Sequence, residues 1–226
     1  MTKATAARDT RHIVWDWNGT LLDDNDAVVA AVNTVCAAFG REEIDLDQWR
    51  AVFSRPLLRC YERLLERRLD ERDWVQIDVV YHNAYRELLH TSRLAHGVPH
   101  VLREWVEQGR TQSLLSMWFH DELVPLVTEM GLRSLFARVD GLRADVGGGS
   151  KAAHLEQHVG ALELDPSDVV VIGDVEDDAR AAKEVGTHCV LVTTGVMNRP
   201  VLERTGFPVV DSIPEAITEI DVEPAA

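Results

Sequence analysis

His12-Ile13-Val14-Trp15-Asp16-Trp17-Asn18-Gly19-Thr20 is the stretch whose reading decides the fold. Ile13, Val14 and Trp15 are β-prone and apolar without alternation, which predicts a short strand buried on both faces. The strand ends in a carboxylate, and the residues from Trp17 to Asp24 read as a turn. A second run of this kind, Val169-Val170-Val171-Ile172, ends in Gly173-Asp174. Further strands are expected over 111–117, 136–139, 189–192 and 209–211. Helices are expected over 121–130, 152–159 and 178–185, with another from Val98 to Gly109. Strands alternating with helices predict an α/β fold, a doubly wound parallel sheet built from βαβ units. In such sheets ligands bind beyond the carboxyl ends of the strands. That rule selects Asp16, Ser116 and Asp174.

Between the first strand and the rest of the sheet the texture is helical. Ala27, Val28, Ala31, Val32, Val35 and Phe39 recur at helical spacing up to Gly40, and apolar residues three and four apart continue to Ala95. Pro56 separates two of these helices. No strand is expected in this region. The reading is a core of residues 1–21 and 97–226 carrying a helical insertion over 22–96.

Composition sets the outer limits. With 226 residues, 46% apolar and 27% charged, the chain can bury a proper core. Its 38 acidic against 23 basic residues give a net charge of −15, which disfavours nucleic acid and anionic membrane surfaces as partners. Cys36, Cys60 and Cys189 are sparse and form no CxxC pair, so they read as buried free thiols. No apolar run approaches the roughly 20 residues that span a bilayer. The N-terminal MTKATAARDTRH lacks the apolar core of a signal peptide and reads as a leader before the first strand. A cytoplasmic location is expected.

The acids after the two buried strands carry the chemistry. Asp16 projects into the crevice, where a carboxylate can act as nucleophile or metal ligand. Gly173-Asp174-Val175-Glu176-Asp177-Asp178 holds four acids in five positions. Helix N-capping accounts for one or two of them. Two carboxylates about 4 Å apart repel by roughly 4 kcal/mol at an effective dielectric of 20, so Asp16, Asp174 and Asp178 brought together need a cation. Hard oxygen ligands with room for phosphate and water point to Mg2+. Lys151, after Gly147-Gly148-Gly149-Ser150, is by itself an ordinary surface lysine; in the same crevice it neutralises a phosphate. The Ser116 hydroxyl can donate to a phosphate oxygen. No GxGxxG is present, and GGGSK lacks the spacing of a Walker loop.

In order and spacing these residues resemble the motifs of the haloacid dehalogenase superfamily of hydrolases, on its phosphoglycolate-phosphatase-like branch. Asp16-Trp17-Asn18-Gly19-Thr20 is similar to the first motif, DxDxT; Ser116 to the second; Lys151 to the third; Gly173-Asp174 with Asp178 to the fourth, GDxxxD. The segment 22–96 resembles the family's helical cap. The resemblance implies a Mg2+-dependent phosphatase of small phosphorylated metabolites acting through an aspartyl-phosphate on Asp16. Ser116 and Lys151 then hold the phosphoryl group. Asp16, Asp174, Asp178 and the backbone carbonyl of Asn18 supply the metal ligands. Family spacing favours Asp178 over Asp177. Of Arg50, Arg55 and Arg59, which flank Pro56, one is expected at the substrate's far end, and Arg55 is the choice. Monomer and homodimer stay open.

One position departs from the pattern. Where the family has an aspartate that protonates the leaving group, this chain has Asn18, and an amide does not exchange a proton near neutral pH. Loss of a general acid/base costs about 10²–10⁴ in rate. Three readings follow: a leaving group that needs no proton, a substitute donor such as His120, or a phospholigand-binding or regulatory protein with weak catalysis. Asn18→Asp is expected to be tolerated.

Overall fold

The computed structural model describes residues 12–143 and 150–222. The leader, the glycines before Ser150 and the tail beyond Val222 lie outside the described residues. The first half of the chain runs β1 (His12–Trp15), β2 (Leu22–Asp23), α1 (Asn25–Ala38), α2 (Leu46–Val52), α3 (Leu57–Leu64), α4 (Glu71–Leu88), β3 (Arg93–Leu94) and α5 (Val98–Glu107). The second half runs β4 (Gln112–Phe119), α6 (His120–Glu129), β5 (Val139–Leu142), α7 (Lys151–Ala161), β6 (Val169–Gly173), α8 (Glu176–Val185), β7 (His188–Val192), α9 (Arg199–Glu203), β8 (Val209–Val210) and α10 (Ile213–Val222).

Six strands form one sheet in the order β5-β4-β1-β6-β7-β8. Every pairing in it is parallel, with Ile13 opposite both Gln112 and Val170. Period-2 alternation sends Ile13, Trp15, Leu114, Val170, Ile172, Val190 and Val192 to one face. Val14, Leu115, Val169, Val171, Cys189 and Leu191 go to the other. Side chains of α5, α6 and α10 bury against the first face, and those of α7 and α8 against the second. Both faces are covered, so these strands read as continuous apolar runs and not as alternating ones. The doubly wound α/β reading holds.

Helices α1 to α4 carry the 22–96 stretch. Asp45 with Gln48 and Asp70 with Asp73 form capping boxes that start α2 and α4. An aromatic chain, Trp49–Tyr61 at 5.7 Å and Tyr61–Trp74 at 6.3 Å between ring centroids, packs these helices together. Tyr85 of α4 stands edge-on to Trp118 of β4 at 5.0 Å and joins them to the sheet.

The structure corrects four expectations. The helical segment is not free of strand: β2 and β3 pair antiparallel at its two ends. Two residues per strand are too few to show a period. The third strand lies at 139–142 and not at 136–139. Phe136 is buried, but pairing starts at Val139, and the Asp-Gly that reads as a turn sits inside the strand. Gly141 is needed there, because a Cβ would lie 2.6 Å from the Trp118 carbonyl. Strand β4 continues past Ser116 to Phe119, with a register shift between Leu115 and Phe119. Finally, α10 closes the described chain beyond the expected strand at 209–211, over a stretch where no element was expected.

A polar chain, buried at His12, Ser113 and His158, crosses the base of the sheet. Asp140 Oδ2 meets His158 Nδ1 at 2.8 Å, His158 Nε2 meets Ser113 Oγ at 2.8 Å, Ser113 Oγ meets His12 Nε2 at 2.7 Å, and His12 Nδ1 meets Thr111 Oγ1 at 2.8 Å. Burial, with His158 adding to it, lowers the His12 pKa to about 4. The unfolded chain therefore takes up this proton first, and stability falls as pH drops through the window from 6.5 to about 4. Between pH 7 and pH 5 the wild type is expected to lose about 2 kcal/mol more unfolding free energy than His12→Gln. Urea titrations of both proteins at the two pH values measure this, and parallel losses would refute it.

Candidate active site

The carboxyl ends of β1 and β6 and the N-termini of α7 and α8 meet at one buried cluster. Asp16 follows β1, Asp174 follows β6, Asp178 stands in the first turn of α8, and Lys151 opens α7. All four are buried. Lys151 Nζ lies 2.8 Å from Asp16 Oδ1 and also pairs with Asp178 Oδ1. A lysine at a helix N-terminus opposes the helix dipole, so these carboxylates and not the helix account for it. Oxygens of Asp16, Asp174 and Asp178 lie within 4.8 Å of one another.

The electrostatics are unbalanced. Three carboxylates against one ammonium leave two excess negative charges in a buried space. Burial raises Asp16 to about 6, against the pull of Lys151 and with the push of Asp178. Burial, then the charges of Asp16 and Asp178, hold Asp174 well above the usual carboxylate range. Burial opposes the Lys151 ammonium, but Asp16 and Asp178 outweigh it and raise its pKa. A divalent cation would neutralise the excess, and the donor set is all hard oxygen.

Backbone shape lets the acids converge. Gly19 has φ +71°, and a Cβ there would lie 2.6 Å from Asp174 Oδ2. At Gly195, in the loop after β7, a Cβ would lie 1.8 Å from the same oxygen. Thr194 Oγ1 donates to the Gly19 carbonyl at 2.6 Å, and Thr20 Oγ1 donates to Asp174 Oδ1 at 3.2 Å. Asp178 Oδ2 accepts from the Val175 N–H at 3.1 Å, which ties the acid back to the end of β6.

Ser116 is buried; its Oγ accepts from the Trp118 N–H at 3.0 Å and faces Asn18 Oδ1 at 3.4 Å. Asp177 is not in the cluster. It pairs with Arg180 at 2.6 Å and with Arg55 Nε at 3.4 Å. Arg55 thus reaches from the helical segment to the residue beside Asp178. Arg50 donates twice to the Gly195 carbonyl, at 3.1 and 2.7 Å, and so braces the loop that packs on Asp174. Arg59 pairs with Glu62 on the exposed side of α3. His120 turns the other way: its ring nitrogens meet the Gly141 N–H at 3.1 Å and the Arg143 guanidinium at 2.8 Å. None of these contacts reaches the aspartates, which removes the reason for treating it as a substitute acid.

Sequence reasoning missed Asp24, Tyr85, Thr194 and Gly195. The loop after β7 follows the same strand-end rule as Asp16 and Asp174, so Thr194 and Gly195 were within its reach. Nothing in the sequence pointed to Tyr85, which arrives from a helix 67 residues away from Asn18.

Comparison with known proteins agrees with this geometry. The family profile described as haloacid dehalogenase-like hydrolase matches residues 10–186. The chain is 30% identical over 199 residues to a phosphoglycolate phosphatase of Synechococcus elongatus, covering 84% of this chain and 87% of that one. It is 26% identical over 217 residues to phosphoglycolate phosphatase 1 of Pseudomonas aeruginosa, covering 92% and 79%. Among solved structures, a haloacid dehalogenase-like family hydrolase from Streptococcus pneumoniae superimposes with a TM-score of 0.79 at 17% identity, covering 94% of this chain and 98% of that one. Mycobacterium tuberculosis protein tyrosine kinase A superimposes at 0.76 and 19%, covering 94% and 99%, so this fold also carries a different named activity. The profile match spans most of the chain, including Asp16, Ser116, Lys151, Asp174 and Asp178, and the chain belongs to the haloacid dehalogenase-like hydrolases.

Proposed function

We propose that this hydrolase is a phosphatase of small phosphorylated metabolites that works through a phospho-aspartate on Asp16. The observation that carries the reading is the meeting of Asp16, Lys151, Asp174 and Asp178, drawn from three distant stretches of chain, at the carboxyl end of the sheet. The curated relatives' name, phosphoglycolate phosphatase, supports a small phosphate ester as substrate class.

Asp16 attacks phosphorus in line. The bond from phosphorus to the leaving oxygen breaks, and its electron pair departs with that oxygen. Water then attacks the phospho-aspartate, releases inorganic phosphate and restores the carboxylate. Lys151 holds Asp16 in place and offsets phosphate charge, and the Ser116 hydroxyl turns from Asn18 to a phosphate oxygen. Positioning and fixed charge supply most of the acceleration.

The cluster fits Mg2+: it offers hard oxygens, excess negative charge, and glycines that leave the acids room. Asp16, Asp174 and the Asn18 carbonyl would hold the ion. Asp178 is a weaker ligand, because Lys151 and the Val175 N–H already engage its two oxygens. When bound, the ion supplies charge neutralisation between the attacking carboxylate and the phosphate.

The helical segment is read as a cap over the site, with Arg55 at its rim facing the substrate's non-phosphate end. The buried free thiols at Cys36, Cys60 and Cys189 support a cytoplasmic location. Among the described residues no helix is long and apolar enough to cross a membrane.

A panel of phosphoglycolate, sugar, nucleotide, aryl and acyl phosphates, assayed with Mg2+ and with EDTA, tests the proposal. Turnover with Mg2+ and its loss in EDTA are expected. Asn18 favours a second reading, a phospholigand-binding protein, which tight ester binding without turnover would support.

A further inference from the structure

Asn18 is held from three sides. Its Nδ2 donates to Asp24 Oδ2 at 3.0 Å and to the Tyr85 hydroxyl at 2.7 Å. Tyr85 in turn donates to Asp24 Oδ2 at 2.6 Å, and Asp24 Oδ1 accepts the Gly19 N–H at 2.9 Å. Asp24 and Tyr85 are buried, 2% and 1% exposed, so this arrangement has no solvent to exchange with. Burial raises the Asp24 pKa, but its two oxygens already accept the Gly19 N–H and the Tyr85 O–H, so Asp24 faces its neighbours as an acceptor. That chemistry fixes which end of the carboxamide faces Asp24: the nitrogen. The oxygen is left to face Ser116.

We propose that Asp24 and Tyr85 are positioning residues that lock the Asn18 carboxamide with its oxygen toward the reaction centre, so that position 18 presents an acceptor and no proton donor. The inference rests on the phosphatase reading and narrows its substrate class. A phosphate ester bound at Asp16 meets no acid from position 18. When the bond from phosphorus to the leaving oxygen breaks and the Asp16–phosphorus bond forms, the leaving group departs as an oxyanion and takes its proton from water. Acyl phosphates and aryl phosphates leave readily in that form. Alkyl phosphates, phosphoglycolate among them, do not. This chain is therefore specialised for esters and anhydrides of acidic leaving groups. Tyr85 comes from α4, so the lock also depends on the helical segment being seated on the sheet.

The lock predicts that carboxylate and amide can be exchanged as a pair but not singly. Asn18→Asp puts two carboxylates in contact, and its melting temperature at pH 8 in EDTA is expected to fall by about 6–10 °C. Asp24→Asn is measured as the fourth corner of the cycle. The double variant Asn18→Asp/Asp24→Asn restores one carboxylate bonded to one amide and is expected to regain at least half of that loss. It also places a carboxyl at position 18. Its kcat/KM for alkyl phosphates should rise about 10²-fold relative to its kcat/KM for aryl phosphates, compared with the same ratio in the wild type, a split that a merely structural role does not produce. A double variant that melts no higher than Asn18→Asp overturns the lock, and so does an unchanged dependence on leaving-group pKa across all active variants. Wild-type turnover of alkyl phosphates as fast as aryl phosphates overturns the substrate class. The melting cycle needs no turnover. A wild type inactive on every ester therefore defeats the phosphatase reading, and the cycle still decides the orientation of the amide.

Discussion

Asp16→Asn is expected to abolish phosphate release while making the metal-free protein more stable. The two effects have one origin. In the proposed mechanism Asp16 is the nucleophile, and removing the nucleophile of a hydrolase lowers kcat on the order of 10⁶-fold. It is also a carboxylate that the fold holds against its own preference: burial raises its pKa from 3.8 to about 6. Between those values the folded protein binds the proton more tightly than the unfolded chain, so stability falls as pH rises through the window and stays low above it. At pH 8 in EDTA an asparagine removes that penalty, and the variant is expected to melt higher than the wild type. Thermal melts in EDTA and a phosphate-release assay with an aryl phosphate read both halves. A variant that keeps wild-type turnover would refute the nucleophile assignment. One that is inactive and also less stable would refute the account of the charge cluster.

Lys151→Met should have the opposite sign in stability. The ammonium is buried between Asp16 and Asp178, and methionine fills similar volume without charge. Removing one partner of a buried ion pair leaves uncompensated charge and costs about 3–5 kcal/mol. In EDTA at neutral pH the melting temperature is expected to drop by roughly 10 °C. Excess Mg2+ should recover part of the drop, because the ion supplies the missing positive charge. An equal drop with and without Mg2+ would mean that the ion does not enter this cluster. Activity should fall about 10²–10³-fold even with Mg2+, the loss typical of one charge-stabilising donor.

The contrast between these two variants shows how much of the site could be read from the chain. Asp16 and Asp174 were legible because each follows an unbroken apolar run, Ile13–Trp15 and Val169–Ile172, and a buried strand can end in a carboxylate only where something receives it. Lys151 was not legible by itself, since a lysine after a glycine-rich loop has the same local sequence whether it is solvated or buried. The strand at 139–142 was displaced by three residues because Asp140-Gly141 carries a turn signal, whereas in the fold Gly141 lets β5 pass close to the Trp118 carbonyl of β4. Asp24 and Tyr85 were invisible for a different reason. Tyr85 meets Asn18 only after α4 packs on β4, and Asp24, six residues beyond Asn18 in the chain, carries no signal separating it from an ordinary turn acid. The expectation that Asn18→Asp is tolerated weighed the missing acid and not the carboxylate of Asp24 beside it, and the melting cycle decides between the two.

The polar chain at the base of the sheet carries a caution of its own. Asp140, His158 and Ser113 stand at 2.8 Å spacings in the order and with the ring nitrogens that define a serine-hydrolase triad. A geometric template would score it as an acyl-transfer centre. Ser113 is fully sealed from solvent, and its hydroxyl is shared with a second imidazole, His12. No carbonyl can approach it. In this protein the residues of one catalytic vocabulary serve as mortar, while the proposed site lies at the other end of the same strands; what separates them is whether a substrate can arrive.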